Sequence, residues 1–66
     1  MDYIKTIQFS IDYIEENLKK DLTIAEIAEK TGFSPYHFYR LFHAYVGMPV
    51  MQYVRRRRLL HAIYDL

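Results

Sequence analysis

The side chains able to do chemistry in this sequence are unevenly placed. Four arginines run together as Arg55, Arg56, Arg57 and Arg58, and a fifth, Arg40, stands among aromatics and histidines in the stretch from Tyr36 to His43. A guanidinium suits phosphate oxygens and the guanine edge, because its planar fork donates two parallel hydrogen bonds. Tyrosine packs on thymine methyls or meets phosphate through its hydroxyl. No enzyme constellation accompanies these residues. His37 and His43 are six positions apart and fall on different sides of a helix, so they do not form the i,i+4 pair that a helical metal site uses. There is no Ser/His/acid cluster, glycine-rich phosphate loop or paired-carboxylate pocket to read. With no cysteine, the chain has neither a disulfide framework nor a zinc finger. Neither catalysis, a metal nor a cofactor is expected.

Charge is divided along the chain. Net charge is +1, yet residues 1–33 hold four Lys against seven Asp or Glu, while residues 34–66 hold five Arg against one Asp and all three His. Such a dipolar chain turns one end toward an anion. At 66 residues, with 52% hydrophobic and 26% charged side chains, it reads as one small globular domain. Two Gly and two Pro favour helices over a many-turned β architecture. No apolar run approaches the roughly 18 residues of a membrane span. The N-terminus lacks the pattern of a signal peptide. A soluble, cytoplasmic protein is the expectation.

Four helices must position the reactive residues, at about 2–20, 23–30, 34–46 and 49–65. In the first, Ile4, Ile7, Ile11, Ile14 and Leu18 recur at steps of three and four, which makes an amphipathic stripe. Phe9 and Tyr13 lie off it. The second opens with Thr23 and Glu26 at capping-box spacing, with Leu22 before them as a staple, and ends at Gly32. Ile24, Ile27 and Ala28 form its inner face. The third opens with Ser34 as N-cap and Pro35 in the first turn, and stops at Gly47. Two short helices joined by Thr31-Gly32-Phe33 make a helix-turn-helix, with Ala28 small at the crossing and Ile27, Phe33, Phe38 and Leu41 as its apolar wedge. Thr31 is more polar than that pattern prefers.

The third helix divides its faces. Phe38, Leu41, Phe42 and Tyr45 share the expected core side. Tyr36, Arg40 and His43 lie opposite, flanked by Tyr39, with His37 to one side. This outer face is aromatic and basic and carries no acid. Exposed tyrosines need a reason, and a DNA major groove supplies one. Ser34 and the free N–H groups of the helix start also suit a phosphate.

The arginine run is less informative than it looks. Four successive helical residues sweep about 300°, so they cannot share a face. Arg55 and Arg58 are neighbours; Arg57 falls in the row of Tyr53, Val54, Leu60 and Tyr64. Its expected place is with its stem over the core and its head paired to an acid of the first half. The fourth helix also changes face, from Val50, Tyr53 and Val54 to Leu59, Ala62, Ile63 and Leu66. A helix shared between two cores would do so. The chain is therefore expected to be a fragment, or to associate with itself through Leu59, Ile63 and Leu66.

The run from Leu22 to Ala62 resembles the DNA-binding domain of the AraC/XylS family of bacterial transcription regulators. The resemblance rests on Ala28, Gly32 and Ser34 (A-x3-G-x-S), on Arg40-Leu41-Phe42, on Gly47, Pro49 and Tyr53 (G-x-P-x3-Y), and on Arg57 to Ala62, which looks like the family's linker helix. It implies an all-α, homeodomain-like fold with two helix-turn-helix units joined by a long helix. The 66 residues hold the first unit and the linker, without the second unit or any effector-binding or dimerisation domain. Because the first helix begins near Met1, the parent is expected to carry its DNA-binding domain first. The positions that usually meet bases fall on Tyr36, Tyr39 and Arg40. Ser34, His37, His43, Arg55 and Arg58 are the expected phosphate contacts.

The expected function is thus sequence-specific binding of double-stranded DNA by a bacterial transcription regulator, the helix at 34–46 reading the major groove. The rival reading is a basic amphipathic module in which the fourth helix meets a membrane surface or a partner protein. That reading leaves the division of the third helix unexplained.

Overall fold

A computed structural model describes residues 3–64, which form four helices without a strand. They are α1 (Tyr3–Glu16), α2 (Ile24–Thr31), α3 (Pro35–Val46) and α4 (Val50–Tyr64). Their shared core is made by Ile7, Ile14 and Leu18 with Leu22, Ile27, Ala28, Phe38, Phe42, Val50 and Val54. The rings of Phe38 and Phe42 are fully buried and 5.7 Å apart, and Tyr53 sets its ring at 63° to Phe42 at 5.6 Å. Each such side chain contributes about 1.5–3 kcal/mol through removal from water.

The stripe of α1 packs inward as its spacing requires, except that Ile4 at its outer end is exposed. Ser10 is fully buried on the same helix. Its hydroxyl is satisfied locally, donating to the Ile7 carbonyl at 2.7 Å. The helix ends at Glu16 and does not continue to about residue 20. Asn17 donates from Nδ2 to the Tyr13 carbonyl at 2.7 Å and from its backbone N–H to Ile14 at 3.1 Å, which closes the last turn. Leu18 still reaches the core. The carbonyls of Leu18 and Lys20, in the loop after α1, accept from Arg58 of α4.

Local signals set the next two helices. The Thr23 hydroxyl accepts from Glu26 N–H at 3.1 Å, the forward bond of the capping box. Gly32 adopts φ 84°, and its N–H meets the Ala28 and Glu29 carbonyls. That left-handed conformation is strained for any side chain but suits glycine. The polar Thr31 has work here. Its hydroxyl donates to the Ala28 carbonyl at 2.7 Å and accepts from the Phe33 N–H at 3.4 Å, tying both sides of the turn together. Ser34 accepts from His37 N–H at 3.2 Å, and Pro35 occupies the first turn of α3. Gly47, at φ 91°, ends α3 with its N–H on the His43 carbonyl.

Tyr45 departs from expectation. It is 51% exposed, not part of the core. At that end of α3 Val46, Val50 and Tyr53 join the core, the Tyr53 ring lying on Phe42, and Tyr45 is left on the surface. Leu60 and Tyr64 are exposed too, so the row through Arg57 is covered only as far as Val54. From Leu59 to Tyr64 every residue of α4 is exposed. This exposed end, about 9 Å long at 1.5 Å per residue, helps give the molecule its 40 × 20 × 17 Å outline.

Candidate nucleic-acid interface

The helix-turn-helix places α3 with Phe38 and Phe42 inward and an unbroken acid-free surface outward. Tyr36 is 70% exposed, and Tyr39, Arg40 and His43 are exposed beside it. The residues expected to meet bases therefore lie together on the solvent side.

These side chains are not independent. Arg40 donates from Nη1 to the Tyr36 hydroxyl at 3.1 Å, and its guanidinium carbon lies 5.7 Å from the Tyr36 ring centre. His43 stands edge-on to Tyr39, with centroids 6.2 Å apart at 81°. His37 does the same with Phe33 at 4.8 Å and 66°. Each pair is four residues apart, the spacing that stacks side chains along a helix. The surface is thus a ladder of an Arg–Tyr and two His–aromatic pairs. A shallow depression beside it is lined by Tyr36, His37, Arg40, Leu41 and Ala44. The sequence reading did not include Leu41 and Ala44 in the outer surface, although their spacing from His37 puts them on one side.

The expected phosphate contacts separate into two groups. Ser34, His37 and His43 lie exposed on or beside α3, with the Ser34 hydroxyl already capping the helix start. Arg55 is exposed on α4. Arg58 is turned inward, donating from Nε to the Leu18 carbonyl at 2.8 Å and from Nη2 to the Lys20 carbonyl. Its guanidinium ties down two backbone carbonyls of the loop between α1 and α2. That gives Arg58 a structural task that the i,i+3 spacing to Arg55 did not reveal.

Arg57 also faces α1, with Nε 2.7 Å from a Glu15 carboxylate oxygen. The Nε–H is not aimed along that contact, so the pair is held by charge more than by a directed hydrogen bond. Glu15 also bears on Tyr53, whose pKa is raised, first by burial and then by that carboxylate, with Arg57 opposing and Asp12 adding to the rise. With Arg57 and Arg58 committed to α1, only Arg55 and Arg56 remain as exposed arginines of α4. A basic amphipathic helix for a membrane surface is weakened accordingly. Among the described residues no helix is long and apolar enough to cross a membrane.

A helical core with a capped turn and an outward-facing third helix defines a helix-turn-helix protein. Comparison with known proteins narrows the class. The family of bacterial regulatory helix-turn-helix proteins, AraC family, matches residues 14–55, and the chain belongs to that family. It is 40% identical over 62 residues to an uncharacterized HTH-type transcriptional regulator, YbfP, of Bacillus subtilis (strain 168), covering 94% of this chain and 21% of the relative. It is 41% identical over 54 residues to the HTH-type transcriptional activator AarP of Providencia stuartii, covering 82% and 40%. It is 33% identical over 66 residues to the regulatory protein SoxS of Salmonella typhimurium, covering 100% and 62%. The chain spans from about a fifth to about three-fifths of these relatives. No solved structure matches it significantly.

Proposed function

We propose that this chain is a DNA-reading unit of a transcription regulator, the first of the two such units its family implies. The observation that carries the reading is the acid-free outer surface of α3, on which Tyr36, Tyr39 and Arg40 are exposed together. In this reading α3 enters the major groove, Tyr36, Tyr39 and Arg40 meet base edges, and Ser34, His37, His43 and Arg55 meet phosphates. Similarity to a regulator, an activator and a regulatory protein supports the same reading. A single unit touches few phosphates, so its binding falls steeply with salt. The test is binding of a random duplex pool at several salt concentrations, followed by sequencing of the bound fraction. Enrichment of one short motif supports the reading. Salt-sensitive binding without enrichment would leave only backbone attraction and defeat it.

A second reading concerns α4. Leu59 is 64% exposed and Ile63 is exposed one turn on, so we propose self-association through these two residues. Leu66, expected to join them, lies outside the described residues. Sedimentation showing a monomer at high micromolar concentration would rule it out.

A further inference from the structure

We infer that Tyr36 is a positioning residue for Arg40, so that this surface reads guanine through a guanidinium held in place before DNA arrives. The inference rests on the base-reading role proposed above for α3 and assigns a division of labour within it. Arg40 has a long side chain with much rotamer freedom, which binding must remove. Here the Tyr36 hydroxyl accepts from Nη1 at 3.1 Å, and the ring lies 5.7 Å from the guanidinium carbon, so hydroxyl and ring restrain the same group. No other protein atom among the described residues is recorded on the Arg40 guanidinium.

The choice of nitrogen matters. With Nη1 engaged, the Nε–Nη2 edge of the fork is open. That edge carries two parallel N–H donors, which match O6 and N7 of guanine and no other base edge in the major groove. A phenylalanine at this position would keep the ring and lose the hydroxyl's share of the restraint. Tyr36 is on the surface, so that change leaves the core untouched.

The experiment is a double-mutant cycle. The full chain, Tyr36→Phe, Arg40→Ala and the double variant are titrated against a duplex selected from a random pool by the unaltered protein. Each is also titrated against the same duplex with every G·C pair changed in turn. Tyr36→Phe should lower discrimination at the Arg40-dependent guanine by about three- to tenfold, the range of one ordinary hydrogen bond's net contribution. In the Arg40→Ala background it should change nothing at that position. Equal loss in both backgrounds would mean that the hydroxyl meets DNA by itself, and no loss in either would mean that it does not hold Arg40. Both outcomes overturn the inference. If Arg40→Ala alone alters discrimination at no base pair, the base-reading role of Arg40 has failed and this inference with it. That result is legible from the single variant.

Discussion

Two surfaces of this small molecule leave large apolar side chains in water, and they are built differently. On the outer face of α3 the exposed tyrosines are engaged, Tyr36 with Arg40 and Tyr39 with His43, and His37 meets the half-buried Phe33 of the turn before the helix. On the exposed end of α4, Leu59, Leu60 and Ile63 stand in water as plain aliphatics. Exposure alone therefore does not say what a surface is for. Rings paired with cations and imidazoles present polar edges at fixed places, which fits a charged, hydrogen-bonding partner such as duplex DNA. Bare aliphatics have only dehydration to offer, which fits another apolar surface.

Variants separate the two surfaces by size of effect. Phe42→Ala should cost about 3–5 kcal/mol, because the ring is fully buried against Phe38 and Tyr53. In a domain this small the loss should abolish cooperative melting, and both surfaces would go with it. Arg40→Ala should remove roughly 1–3 kcal/mol of discrimination at one base pair. Its thermal stability should stay within about 0.5 kcal/mol of the parent, as for surface changes generally. A uniform loss on all sequences would reduce Arg40 to a phosphate contact. Arg58→Ala should lower stability by about 1–2 kcal/mol, since two carbonyls lose a charged donor. Arg55→Ala should be nearly silent in the same melt, and equal effects would erase the distinction drawn between them. Changing Leu59 and Ile63 to Asp should leave melting and DNA selection unchanged while raising the concentration at which any dimer appears in sedimentation. A change in DNA selection would show that the two surfaces are not separate.

The smallest effect concerns Tyr53. Its pKa is raised in the fold, mainly by burial. A phenol with a raised folded value contributes stability that is complete below its unfolded value, about 10. That contribution is lost as pH rises through the folded value. Tyr53→Phe should keep the ring on Phe42 and melt like the parent near neutrality. Above about pH 10 it should fall less steeply than the parent in a pH series of melts.

What could be read in advance follows physical range. Caps act within a few residues, so Thr23, Gly32, Ser34 and Gly47 announced α2 and α3 almost to the residue. The outward position of Tyr36 and Arg40 followed from helical period alone, and Arg57 met an acid of the first half as its place in the row implied. The misreadings were all non-local. Asn17 closes the last turn of α1 locally, but the path of the chain after it depends on a distant donor, since Arg58 takes the Leu18 and Lys20 carbonyls. Period placed Tyr45 inside, but which residues close the core at that end depends on where α4 crosses. The roles of Ser10 and Thr31 are local bonds that the sequence permits without requiring.

Arg58 has one more implication, for the order in which the chain takes shape. The bond from its Nε to Leu18 bridges 40 positions. During synthesis, therefore, the first helix emerges long before the residue that finishes its trailing end. The stretch after Glu16 gains these two bonds only once residue 58 is available, in the same step that seats α4.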